Sequence, residues 1–254
     1  MSQKEMQKGI WDKHWRGIST DEAEILSSRF TQEAYREIKR FIGNDDKRIL
    51  EAGCGTGRFC LLLGKDFPHA EITGIDISDY AIRIAENAKS QLGIENVKFE
   101  KRDLFSTGYP DNYFDVVFNE GVIEHFSLDG EPTYKDAIHE MVRITKKGGK
   151  VIVAVPNYYC LPHTFYKWLL QRIGRQYEYG YERSFKHQEL IDLFKEFHLH
   201  DIELSAWYPA HGFYRLGRYS RIFSLAGKVV DLIHIKPFIR KFGFEIIIKG
   251  VKSK

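Results

Sequence analysis

The chain has 254 residues, a formal net charge of +3 and 14% aromatic residues. That length holds one large α/β unit with a buried core, and so slight a basic excess does not by itself argue for a nucleic-acid partner. The three cysteines, Cys54, Cys60 and Cys160, form no CxxC pair, which argues against a zinc or disulfide framework and for a reducing cytoplasm, and no apolar run approaches membrane-spanning length.

In chain order, residues 1–45 read as a helical extension. Lys4, Glu5, Lys8, Asp12 and Lys13 interrupt the region where a secretory signal would carry its apolar stretch. Trp11 and Trp15, four apart, share one helix face. Ile25, Leu26, Phe30, Ala34, Ile38 and Phe41 predict a helix over 20–42. From residue 48, short apolar strands (48–53, 71–77, 97–102, 114–119, 149–155) alternate with helical patterns near 57–66, 78–92 and 132–145. Ser78 suits an N-cap and Pro132 a first helical turn. This alternation implies a parallel sheet covered on both faces, with ligands at the carboxyl ends of its strands. Residues 157–183 are then rich in tyrosine. A helix over 187–197, a strand over 199–208, a basic apolar stretch over 213–242 and a strand near 244–251 complete the chain.

The most specific local pattern is Ile49-Leu50-Glu51-Ala52-Gly53-Cys54-Gly55-Thr56-Gly57. A strand delivers an acid to a turn whose three glycines are spaced one residue tighter than the G-x-G-x-x-G of dinucleotide sites. Asp76 ends the next strand, where a carboxylate can accept both hydroxyls of a ribose. Lys101-Arg102-Asp103-Leu104 ends the third strand, and Asn119-Glu120-Gly121-Val122-Ile123-Glu124-His125 follows the fourth. Together these segments resemble the class I S-adenosylmethionine-dependent methyltransferases of small-molecule type, in particular the quinone-biosynthesis O-methyltransferase-like group. The match is close over 46–157 and looser over the C-terminal strands.

The resemblance implies an α/β, Rossmann-like seven-stranded methyltransferase sheet, its last strand antiparallel, with helices on both faces. It also implies one domain over 1–254, with a SAM-binding core at 46–157 and substrate-cap segments at 158–198 and 209–243. S-adenosylmethionine is the implied cofactor. Glu51, Gly53, Cys54, Gly55 and Gly57 would surround its methionine tail, Asp76 and Ile77 its ribose, and Asp103 and Leu104 its adenine. Asn119 and Glu120 would border the transfer site. Trp11 and Trp15 either fold over the cofactor or pack the leading helix on the core.

His125 is the candidate general base, with Glu120 beside it; the alternative is a histidine capping the sheet edge. Gly121 stands where the quinone-pathway relatives carry an acid, so no metal is expected. Asn157, after Pro156 ends the fifth strand, is expected on the substrate side. His163, His187 and His211 either line the acceptor pocket or are structural, and His139 is read as solvated. The tyrosines of 158–181 either wall the acceptor or pack a lid.

The expected partner is therefore a small-molecule or lipid-like acceptor, with carbon, oxygen and nitrogen acceptors all open. The 213–242 segment is either an amphipathic helix at a membrane surface or a helix packed on the sheet. The competing functional readings are an NAD(P)-binding oxidoreductase, a non-catalytic SAM-binding protein and a nucleic-acid methyltransferase. The tight glycine spacing disfavours the first. The absence of an Asn/Asp-Pro-Pro-Tyr/Phe motif after the fourth strand disfavours the last.

Overall fold

The computed structural model describes residues 3–17, 26–233 and 235–254. The first half of the helix expected over 20–42 lies largely outside them, and the described part is Arg29–Lys39 (α2). Ahead of it runs Gln3–Arg16 (α1).

Seven strands form one sheet: Arg48–Ala52 (β1), Glu71–Asp76 (β2), Val97–Lys101 (β3), Phe114–Glu120 (β4), Thr145–Pro156 (β5), Leu199–Trp207 (β6) and Glu245–Lys252 (β7). Their order is β3-β2-β1-β4-β5-β7-β6. The first five are parallel, and β7 runs antiparallel between β5 and β6. This is the sheet the sequence predicts, including its antiparallel closing strand.

Why both faces are covered follows from alternation along the strands. Ile49, Val116 and Ile152 pack on one side with Phe59 and Leu63 of Arg58–Asp66 (α3), Ala85 and Ala88 of Asp79–Leu92 (α4), and Ile38 of α2. Their neighbours Leu50, Val117, Val151 and Val153 pack on the other. There they meet Met141 and Ile144 of Tyr134–Ile144 (α5) and Leu190 and Phe194 of His187–Glu196 (α7). Strands buried on both faces read as unbroken apolar runs.

Local chemistry sets the helix starts. Ser78 caps α4, its Oγ accepting the Ala81 N–H at 3.2 Å. Thr133 caps α5 through a reciprocal box with Asp136. The hydroxyl of Thr133 outcompetes the proline signal, so Pro132 lies outside the helix rather than in its first turn. β5 begins four residues earlier than expected because Thr145 pairs with Phe114 while Lys150 pairs with Val116, and residues 146–149 bulge between those pairs. Pro156 is the last paired residue of β5, as its missing N–H requires.

Leu161–Arg172 (α6) precedes α7, and the 213–242 region is not one helix. It folds as His211–Leu216 (α8), Arg221–Val230 (α9) and Lys236–Phe242 (α10). α8 packs between α6 and α9.

Candidate active site

The strand order reverses between β1 and β4, and the carboxyl ends of β1, β2 and β4 open there into a cavity of about 580 Å³. Such a switch point is where open α/β sheets bind ligands. The glycine loop forms one wall. Gly55 has φ +52°, and a Cβ on it would fall 2.9 Å from the indole of Trp15. Gly53 has φ +81°, and a Cβ there would strike Val122 at 2.4 Å. Both positions need glycine, one to keep the loop open to whatever lies against it and one to pack against the segment after β4.

Asp76 ties the loop to the next helix. Its two carboxylate oxygens accept the N–H of Gly55 at 2.9 Å and of Ser78 at 2.8 Å, and burial pushes its carboxyl above the usual range. Glu51 lies deeper. Its Oε2 accepts the Cys60 N–H at 3.1 Å and the thiol at 2.9 Å, and burial pushes its pKa up to about 8. Cys54 and Ile77 line the same wall, and burial drives the Cys54 thiol well up, which leaves it protonated. Leu104 and Asp103 line the far end, Asp103 pairing with Lys4 at 2.6 Å. Gly57 stands behind the loop as the N-cap of α3 and packs against Phe99.

α1 lies across the opening. Asp12 accepts the Ser78 hydroxyl at 2.5 Å and Gln3 donates to the His125 carbonyl at 3.0 Å. Trp11 stacks on Trp15 and on Tyr179, each at 5.2 Å between ring centroids, and meets His125 edge-on at 5.4 Å. Both tryptophans line the cavity.

The opposite end is built from the segment after β4 and from the C-terminal half. Glu120 is held by Arg58 at 2.7 Å. His125 is buried, and its Nδ1 lies 2.6 Å from the Tyr181 carbonyl. A carbonyl only accepts, so Nδ1 carries the proton and Nε2 keeps the lone pair. Burial pulls the imidazole below its usual range, against the attraction of Glu182. The Glu182 carboxylate accepts from His163, Lys167 and Tyr177 at 2.9, 3.1 and 2.8 Å, and these partners hold its carboxyl well below the usual range despite burial.

Two expected residues are elsewhere. Asn119 is fully buried on the α5 side of the sheet, its Nδ2 3.5 Å from Met141 Sδ, because alternation in β4 sends its side chain away from the one that carries Glu120. Asn157 does not face the cavity: its amide donates to the carbonyls of Lys241 and Gly243 and clamps α10 to β5. Of the weighed histidines, His211 lines the cavity. His163 is buried behind Glu182, His187 binds the Arg240 carbonyl, and His139 is exposed.

Arg58, Arg215, Glu182 and Glu245 also line the cavity. Local sequence carries no signal for the last three. The packing of α8 brings Arg215 to the cavity, the return of β7 brings Glu245, and His163 and Lys167 of α6 hold Glu182 there. Among the described residues no group of three or more His, Cys, Asp or Glu is arranged to hold a metal ion.

A doubly covered sheet of this order, with an acid–glycine loop at its switch point, defines the Rossmann-like methyltransferase class. Residues 43–200 match the family model described as Methyltransferase domain, and the chain belongs to that family. It is 25% identical over 187 residues to the demethylmenaquinone methyltransferase of Geobacillus sp. (strain WCH70), covering 67% of this chain and 78% of the relative. Ajmaline N-methyltransferase of Rauvolfia serpentina is 34% identical over 108 residues, 42% of this chain and 35% of that one.

Among solved structures, phosphoethanolamine N-methyltransferase 2 of Haemonchus contortus in complex with S-adenosyl-L-methionine superposes with TM-score 0.62. Its identity is 17%, over 92% of this chain and 57% of that one. A possible histamine N-methyltransferase of Thermotoga maritima superposes with TM-score 0.61 at 20% identity, over 87% and 89%. The protein is an S-adenosylmethionine-dependent methyltransferase of small-molecule acceptors. The positive-φ glycines of the loop and the carboxylate of Asp76 beside them suit that cofactor.

Proposed function

We propose that His125 is the general base of methyl transfer to an apolar or lipid-like small molecule, seated between the glycine loop and a cap formed by 158–198 and 209–243. The observation that carries this is the tautomer of His125, whose Nδ1–H is committed to the Tyr181 carbonyl so that only Nε2 can take a proton. S-adenosylmethionine, when bound, supplies an activated methyl group. The chain then has to align the acceptor and exclude water, an effect worth roughly 7–11 kcal/mol where positioning is complete. In this reading Glu51 and the loop from Gly53 to Gly57 take the methionine tail, Asp76 and Ile77 the ribose, and Asp103 with Leu104 the adenine. Trp11 and Trp15 close the cavity above, and Arg58 fixes Glu120 at the acceptor. With labelled S-adenosylmethionine and an acceptor drawn from a metabolite extract, His125→Ala should lower turnover about a hundredfold and leave S-adenosylhomocysteine affinity nearly intact. Normal turnover in the variant would return His125 to a structural role.

The cap supports a peripheral contact with an anionic bilayer surface, from the cytoplasmic side. No described helix is long and apolar enough to cross a membrane. Yet the apolar stripe of α9, Ile222, Leu225 and Val229, is 76%, 64% and 57% exposed, while Gly227 packs against Tyr214 of α8. Leu161, Phe165 and Trp168 of α6 are exposed as well. Arg218, Arg221, Lys228, Lys236, Arg240 and Lys241 surround α9 and α10 in sequence and are exposed. Exposed apolar residues inside a basic rim match an anionic interface. α8, which packs against α6 and α9, carries His211 and Arg215 of the cavity, so a lipid-borne acceptor would reach the site through the cap.

A further inference from the structure

One carboxyl oxygen of the cavity lacks a partner. Glu124 lies in the short 3-10 turn Ile123–His125, is 2% exposed and lines the cavity. Its Oε2 meets no hydrogen-bond partner among the described residues. The other carboxyls at this end all have donors: Glu120 has Arg58, Glu182 has Lys167 and Tyr177, and Glu245 has the Trp207 indole N–H at 3.0 Å. A buried acceptor without a donor costs about 1–3 kcal/mol, and more when charged, so folding alone does not account for an acid here. A ligand that brings a donor would account for it.

Cofactor and acceptor share the cavity, and the position of Glu124 separates them. The Glu124 carbonyl accepts the Arg183 N–H at 3.0 Å, and Glu182, Glu120 and Lys167 are the charges that act on its carboxyl. All belong to the end away from Asp76 and Asp103. Trp11, Tyr177 and Tyr179 line the cavity as well and give the acceptor an apolar wall.

We propose that Glu124 is the recognition site for a protonated amine carried on an apolar acceptor, a site that rests on reading this cavity as the acceptor pocket. Burial holds the free Glu124 carboxyl well above the usual range, so the acid is protonated until an ammonium group replaces that proton as its compensating charge.

The test uses the full chain saturated with S-adenosylhomocysteine, as wild type and as Glu124→Gln, titrated calorimetrically at neutral pH. The probes are 2-phenylethylamine, which is protonated, and 2-phenylethanol, which is not. Wild type should bind the amine at least tenfold tighter than the alcohol, and Glu124→Gln should abolish that preference with S-adenosylhomocysteine affinity unchanged. Because the substitution removes an unpartnered acid and keeps its shape, its Tm should not fall below wild type. Equal binding of the two probes by wild type, or a preference that survives in Glu124→Gln, would overturn the assignment. So would a variant that loses S-adenosylhomocysteine instead, which gives Glu124 to the cofactor. If the cavity is not an acceptor pocket at all, neither probe binds, a result distinct from equal binding.

Discussion

Asp76 would combine two roles, since the carboxylate proposed to accept the ribose already holds the Gly55 and Ser78 amides. Asp76→Ala should weaken S-adenosylmethionine binding by about 1.5–3 kcal/mol, the scale of a charged hydrogen-bonding partner, and calorimetry giving wild-type affinity would refute the assignment. Glu51 makes a prediction about stability. Its folded pKa of about 8 lies above the ordinary glutamate value of 4.5, so between those values the native state holds a proton that the unfolded chain has lost. The contribution is fully present below the unfolded pKa and is lost as pH rises through the folded one. Thermal melts of the ligand-free protein from pH 5 to 9 should therefore show Glu51→Gln gaining on wild type as pH rises. By pH 9 its Tm should lead by at least about 2 °C relative to the difference at pH 5. A constant difference across that range would contradict the buried, protonated state of Glu51.

At the scale of elements, α1 lies across the cavity. Gln7 is its only buried residue. It is held mainly by polar ties, Lys4 to Asp103, Asp12 to Ser78 and Gln3 to the His125 carbonyl, and by the aromatic stack of Trp11, Trp15 and Tyr179. Partly exposed ion pairs contribute about 0–1 kcal/mol each, and an element so lightly attached belongs to the low-stability end of a fold. α1 is thus suited to lift for exchange and close during transfer. Trp15→Ala should weaken S-adenosylhomocysteine binding by about 0.5–1.5 kcal/mol, the worth of an aromatic contact, and speed its release in stopped-flow fluorescence. Tighter binding would mean that Trp15 competes with the cofactor for the space above Gly55.

For the molecule as a whole, the cavity at the sheet and the exposed helices of the cap, where we propose transfer and membrane contact, are joined through α8. Liposome co-sedimentation should show binding to anionic vesicles at low salt that declines at moderate salt, since each Lys or Arg near the surface contributes about 1 kcal/mol that screening removes. Leu225→Glu, which puts a charge in the exposed stripe of α9, should abolish it. If wild type stays in the supernatant at low salt, the cap is a soluble substrate lid only.

Sequence alone determined the sheet, because its central strands are buried on both faces and the crossover helices α4 and α5 start at their own side-chain caps, so pattern and local chemistry agree over 48–157. The loop from Glu51 to Gly57 and the acid at Asp76 were legible for the same reason: backbone at positive φ beside a strand-terminal carboxylate is a local demand. Which face a β4 side chain takes was not legible, and Asn119 faces α5 while Glu120 meets Arg58. Nor was the folding of 213–242 into three short helices whose apolar stripe points outward, since periodicity gives a face without saying what covers it. Tertiary structure alone decided the acceptor end. Glu124 comes from the turn after β4, Glu182 from the loop between α6 and α7, Arg215 from α8 and Glu245 from β7, and such long-range juxtapositions leave no periodic trace in the chain.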